Sequence, residues 1–182
     1  ATAGGSVCAN TATFDVTINA LDDASFSYAA AAYCVDGVDP TPTVTGVVGG
    51  TFSEPTGNLT LNAGTGEITL ASSTTGATYT VTYSTATAGG SVCANTATFD
   101  VTITALPVAT FSYAGTPYCS NDAHPLPTLN GQAGTFTSNS VTFINFNTGQ
   151  VAMHSTPGSH TVVNTIAAAN GCAAVTAQNT IT

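Results

Sequence analysis

The sequence predicts an all-β fold of tandem immunoglobulin-like β-sandwich domains, and three observations carry that expectation. Residues 1–18, ATAGGSVCANTATFDVTI, return unchanged at 86–103, so Ala1 and Ala86 mark an offset of 85 residues. FSYAAAAYC (Phe26–Cys34) and FSYAGTPYC (Phe111–Cys119) keep the same offset with scattered changes. This period exceeds that of a solenoid or propeller unit and matches one small autonomous domain. The second observation is composition: Thr, Val, Ser, Ala and Gly dominate, while Lys and Arg are absent. That is a vocabulary of strands and turns, poor in helix formers. Third, short alternating runs bounded by Gly, Pro, Asn and Asp recur every ~8 to 12 residues, the pattern of an immunoglobulin-like sandwich.

Taken in order, Ala24–Tyr28 opens the first complete unit, and Thr41–Thr45 follows a turn at Asp39 and Pro40. Gly49 and Gly50 lead into Thr51–Ser53. Asn58–Asn62 and Glu67–Leu70 flank AGTG, whose Gly64 and Gly66 are expected to supply the positive φ of a tight hairpin. Thr78–Tyr83 places Tyr79, Val81 and Tyr83 on one face, and Thr96–Ile103 closes the unit with Phe99, Val101 and Ile103 inward. The second unit repeats the plan through TLNG, GTFTS, VTFINFNTGQVAM and HTVVNTI, with a weaker final strand after Cys172. The expected division is 1–21, the last strand of an upstream repeat, then 22–106 and 107–182 as successive repeats.

With 43% apolar and 5% charged residues the chain buries a core rather than staying disordered. Its formal charge of −9, reached without one Lys or Arg, argues against nucleic acid and anionic lipid, both of which need cations. No apolar run reaches the ~18 residues of a spanning segment, so membrane insertion of this stretch is not expected.

Five Cys in so short a chain suit an oxidising compartment. Framing each unit by its Cys predicts bridges Cys34–Cys93 and Cys119–Cys172, and leaves Cys8 unpaired or joined to an upstream or neighbouring unit. The pairing Cys8–Cys34 with Cys93–Cys119 also preserves the repeat and leaves Cys172 over; sequence alone does not choose. A loop of 50 to 60 residues gives each bridge roughly 4 kcal/mol by chain entropy. With no Lys for an isopeptide brace, the mechanical role falls to disulfides.

Other candidate sites read as structural. His124, His154 and His160 all fall in the second unit and lack the spacing of a metal site, so they are expected at the surface or at strand edges. Asp36 and Asp39, with Asp22 and Asp23, are weak calcium candidates; calcium wants six to eight oxygens, and turn capping accounts for these residues. No cofactor is expected. No G-x-S-x-G elbow or H-E-x-x-H occurs, and no Lys or Arg is present to activate a thiol, so no enzyme is expected. Asn58-Leu59-Thr60 is a lone glycosylation sequon.

The strings FSYxxxxYC, DPTPTVTG, GGTFS, LTLNAGTGEITL, TYTVTY and CANTATFDVTI resemble the immunoglobulin-like repeats of giant secreted cell-surface adhesins of Bacteroidota. That family includes SprB-like gliding-motility adhesins exported by type IX secretion. The resemblance covers essentially the whole chain. HPLPTLNG in place of DPTPTVTG, and a final strand without the Phe and Asp of FDVTI, depart from it. It implies an extracellular stalk or spacer whose partners are adjacent repeats of the same polypeptide.

Two alternatives accompany that expectation. In one, Thr11–Ile18 completes the second unit of another copy by strand addition and builds a filament; the assumed Cys119–Cys172 bridge, leaving no free thiol for Cys8, weighs against it. In the other, the chain is a carbohydrate-binding module for surface glycans, for which Tyr33 and Tyr118 are the repeated aromatics to test, although Trp is absent.

Overall fold

The structure, a computed structural model, describes residues 10–182. The N-terminal part contains β1 (Phe26–Ser27), β2 (Ala32–Cys34), β3 (Thr43–Val44), β4 (Thr51–Ser53), β5 (Ala77–Ser84) and β6 (Thr96–Thr104). A four-stranded sheet in the order β2-β6-β5-β4 faces the β1-β3 pair. Along β5, Tyr79, Val81 and Tyr83 are buried, and across the antiparallel ladder Val101 and Ile103 of β6 are fully buried. Strand alternation therefore builds the core as its period of two requires. On the opposite face the Thr78 and Thr102 hydroxyls bond at 2.8 Å, and Thr80 Oγ1 donates to Asp100 at 2.7 Å. Hydroxyls rather than charges solvate this sheet.

The C-terminal part contains β7 (Phe111–Ser112), β8 (Thr128–Leu129), β9 (Thr135–Thr137), β10 (Phe143–Asn145), β11 (Gln150–Val151), β12 (His160–Ile166) and β13 (Val175–Ile181). Its sheet runs β13-β12-β9, accompanied by the β7-β8 and β10-β11 pairs. A second core of Phe111, Tyr113, Phe136, Val151, Met153, Val162 and Ile181 lies between them, separate from the first. The described residues are nearly all β, relieved by two single-turn 3₁₀ segments at Leu70–Ser72 and Thr85–Thr87. The expected all-β, sandwich-type fold is thus the observed one.

The expected hairpin at 58–70 survives only as the bridge Leu61↔Ile68. Asn62 N–H to Glu67 O and Thr69 N–H to Thr60 O (both 2.9 Å) flank that bridge, and the ladder stops there because Thr60 N–H donates to Ser73 Oγ (3.0 Å) and Glu67 N–H to Thr65 Oγ1 (3.2 Å). Of the two turn glycines, Gly66 alone has positive φ, at 72°, and a Cβ there would stand 2.6 Å from Pro42 Cγ. Gly64 is spared because Asn62 Oδ1 accepts from Gly64 N–H and Thr65 N–H, closing the turn with a side chain.

The two cores fasten the loop ahead of their edge strands with different chemistry. Tyr83 Oη accepts from Gly50 N–H (2.9 Å) and donates to Val47 O (2.7 Å). At the matching register of β12 stands Asn164, fully buried, whose Oδ1 accepts from Gly134 N–H (2.8 Å). Its Nδ2 donates to Ala109 O (2.9 Å) and Gln132 O (3.0 Å). Asn164→Leu would strip the amide from one buried and two part-buried backbone groups; the expected loss is roughly 2–3 kcal/mol in urea unfolding. A change below ~1 kcal/mol would show that water replaces the amide.

Buried phenols recur too. Tyr28 Oη donates to Gly66 O and Tyr113 Oη to Gly149 O, each at 2.5 Å. Burial pushes both phenols above their ordinary range, with neighbouring Tyr33 and Tyr118 adding to the effect. Unfolded tyrosine ionises near pH 10 while these folded phenols hold their protons higher, so their stabilisation is full below about pH 10 and is lost as pH rises beyond it. A Tyr28→Phe/Tyr113→Phe chain is expected to lose stability less steeply above about pH 10 than the parent. Parallel declines would assign alkaline sensitivity to other groups.

Candidate functional site

The feature with functional consequence is the junction between the two cores. Strand β2 runs parallel to the far end of β6, with Tyr33 opposite Ile103 and Cys34 opposite Thr104. That pairing holds Cys34, 2% exposed, where the chain leaves β6 for the C-terminal part. From the other side comes the β12–β13 loop, closed by reciprocal bonds between Ala169 and Cys172. Asn170 and Gly171 have positive φ, 49° and 84°. A Cβ on Gly171 would stand 2.7 Å from Ala32 O and 2.8 Å from Tyr33 Cα, so glycine is what lets this loop lie against β2. Cys172 and Cys34 thereby form a disulfide with Cα atoms 4.6 Å apart, across 138 residues of sequence. Cys172 Sγ also lies 3.6 Å from Ala105 O and 4.0 Å from Thr104 O, over the connecting segment.

This bond corrects the expected pairings Cys34–Cys93 and Cys119–Cys172, and it is not the alternative set either. Cys34 stands level with Thr104 at the end of β6, whereas Cys93 precedes Thr96 at its beginning. Eight strand steps amount to about 26 Å, far beyond the Cα separation a disulfide allows. The same geometry separates the other pair. Tyr118 N–H donates to Thr182 O beyond the end of β13, while Cys172 precedes its start. Cys93 is half-buried, Cys119 is exposed, and neither carries a disulfide; Cys8 lies outside the described residues.

The acidic candidates serve local roles. Asp39 caps Leu70, and Ser25 donates to Asp23 through both its amide and hydroxyl, holding that carboxyl below its ordinary range. Asp22 fastens the N-terminal connecting segment: its N–H donates to Cys93 O, its carbonyl accepts from Asn95 Nδ2, and its carboxylate accepts from Ser91 Oγ. Asp36 approaches the Cys34 and Cys172 sulfurs, the only convergence of three potential metal ligands among the described residues, but those sulfurs are bonded to each other.

His124 and His154 place their rings 5.8 Å apart, and His124 Nδ1 accepts from Met153 N–H. His160 is buried rather than superficial. Its Nε2 donates to Thr156 O (2.7 Å) and its Nδ1 meets Ser140 Oγ (2.8 Å).

The two repeated aromatics spend their hydroxyls internally, Tyr33 Oη accepting from Ala30 N–H and Tyr118 Oη donating to Ala114 O. Tyr118 also borders a cleft of about 330 Å³ with Val151, Met153, His160 and Ile181. Ile181 pairs with His160 as Val101 pairs with Tyr79, so this cleft matches the space that Ile103, two residues further along its strand, fills in the first core.

No family model matches the chain, and no curated protein does. Among solved structures it is similar to a SusE-like surface-located polysaccharide-binding protein from the Bacteroides thetaiotaomicron heparin utilisation locus, with 23% identity and a TM-score of 0.34. It is similar also to mouse cadherin-23 EC22-24, with 16% identity and a TM-score of 0.35. The matches cover 88% and 87% of this chain but 33% and 65% of those chains, less than two thirds of either. The architecture itself defines an all-β protein of sandwich type.

Replacing both bonded cysteines, Cys34→Ala with Cys172→Ala, is expected to lower stability by up to about 5 kcal/mol, the chain-entropy value for so long a loop. Calorimetry should then resolve two transitions as the cores lose their covalent tie. A single transition at the parent temperature would mean the bond holds nothing together.

Proposed function

We propose that the chain is a non-catalytic spacer, residues 22–106 and 107–182 being successive immunoglobulin-like repeats of an extracellular stalk in a large bacterial cell-surface adhesin. The observation that carries this reading is the disulfide joining the two copies of an 85-residue repeat across their junction. A bond there resists separation and bending of neighbours, which is what a tether requires. Its formation suits an oxidising, extracellular setting, and among the described residues no helix is long and apolar enough to cross a membrane. The sequence resemblance extends the reading to adhesins of gliding motility and type IX secretion.

A filament built by strand addition gains support from one observation. Thr11–Ile18 repeats the sequence of Thr96–Ile103, yet Phe14 is 89% and Ile18 91% exposed where Ile103 is fully buried. Because Cys172 is bonded to Cys34, the assumed Cys119–Cys172 bridge no longer opposes that reading. The glycan reading gains nothing comparable, since Tyr33 and Tyr118 form no exposed platform.

Small-angle X-ray scattering decides among these. A compact chain of this length would have a radius of gyration of about 16 Å. The stalk predicts a clearly larger value at constant monomer mass. A value near 16 Å would overturn it, and mass growing with concentration would favour the filament.

A further inference from the structure

We infer that the Cys34–Cys172 bond is one rung of a ladder. The opening cysteine of each repeat bonds the closing cysteine of the next repeat on the same polypeptide, and Cys119 and Cys93 are half-rungs that further repeats complete. The inference rests on the stalk reading and deepens it by naming what locks the repeats.

Cys93 occupies the position of Cys172. Its Sγ lies 3.8 Å from Asn19 O, as Cys172 Sγ lies 4.0 Å from Thr104 O, and Asn19 and Thr104 are themselves one repeat apart. Each of the two cysteines stands a few residues ahead of its closing strand, β6 or β13, over the segment that enters its own repeat. Cys172 reaches back from that place to the preceding repeat. Cys93 is set to do the same toward a repeat before it.

Cys119 likewise occupies the position of Cys34. Asp122 N–H donates to Cys119 O at 2.9 Å, as Gly37 N–H donates to Cys34 O at 2.9 Å. Tyr118 lies beside Thr182 past β13, as Tyr33 lies beside Ile103 at the end of β6. The Cys34 thiol position is covered by the β12–β13 loop of the following repeat, and Cys119 is exposed. Cys93 and Cys119 do not serve each other. One sits at the start of β6 beside Asn19 and the other beyond the end of β13, at opposite ends of the pair of repeats.

Each rung closes by thiol–disulfide exchange with a small disulfide such as oxidised glutathione. One protein thiolate attacks it, releasing one glutathione thiolate and leaving a mixed disulfide. The second protein thiolate attacks the protein sulfur of that mixed disulfide and releases the second glutathione. Two protein thiols are oxidised, one glutathione disulfide is reduced, and both protons pass to the released glutathione.

The test extends the full chain after Thr182 with a copy of residues 18–106, refolds it in glutathione buffer, and maps disulfides without reduction, using a protease that needs no Lys or Arg. The expected result is Cys119 bonded to the appended copy of Cys93, with Cys34–Cys172 intact. In the Cys119→Ser version of the extended chain, the appended copy of Cys93 should become alkylatable, as the appended copy of Cys34 is in both versions. Cys119 still alkylatable in protein whose Cys34–Cys172 bond has formed, or bonded to Cys93 or Cys8, would overturn the ladder. Scattering from the same sample separates the two readings: an elongated particle with Cys119 free sinks the ladder alone, whereas a compact particle with the bond formed sinks the stalk.

Discussion

The rest of the structure depends on the parallel pairing of β2 with the far end of β6. Three residue pairs, Ala32 with Thr102, Tyr33 with Ile103 and Cys34 with Thr104, tie the beginning of a repeat to its exit. An antiparallel hairpin would have returned the opening segment to its own neighbourhood. The parallel crossover instead carries Cys34 to the end of the sheet from which the next repeat departs. Everything at the junction follows: the cysteine is out of reach of its own repeat's closing loop, and within reach of the next one's. Gly171 completes the arrangement by removing the side chain that would keep that loop from β2.

Within each repeat the same plan is built from changing chemistry. Tyr83 and Asn164 occupy matching positions and fasten matching loops, one with a phenol and the other with a carboxamide. Both satisfy buried and part-buried backbone groups, and no buried side-chain polar atom among the described residues lacks a partner. The aromatic contacts are retained in kind: Phe26 packs edge-on against Phe52, and Phe111 edge-on against Phe136. Shape is kept at these positions while composition drifts, which is how degenerate repeats hold a common architecture.

The strands were legible because their signal is local. TYTVTY and TATFDVTI alternate with a period of two, and β5 and β6 bury the residues that alternation selects. TFS was readable from the Gly49–Gly50 turn that leads into it. The disulfide was not, because chain order says that Cys34 is early and Cys93 late without saying that they sit at opposite ends of one strand. A parallel pairing of two short segments leaves no periodic trace. Asn164 was missed for a related reason: an Asn within HTVVNTI reads as an outward polar residue, and its inward role shows only when Ala109, Gln132 and Gly134 are brought around it. The repeat itself held the missing clue, since Asn164 falls in register with the inward Tyr83. Likewise, the Asx turn at Asn62 made Gly64 unnecessary as a positive-φ residue, although the letters AGTG advertise both glycines.

The position of the disulfide decides how a pulling force would be carried. Tension entering before Cys34 and leaving after Cys172 passes through the sulfurs, so the residues between them are bypassed. Their extended length, on the order of 450 Å, is withheld from stretching even if both cores melt. A bridge confined to one repeat would shield that repeat and leave the junction as the weak link. The inter-repeat bond shields the junction together with the cores on either side. In a ladder of such rungs the loops overlap, because Cys119 opens the next rung before Cys172 has closed the last. Any segment between those two residues is then enclosed twice. Force would then load only the singly enclosed stretches, such as the one between Cys93 and Cys119, and the residues of the two apolar cores outside them would be spared.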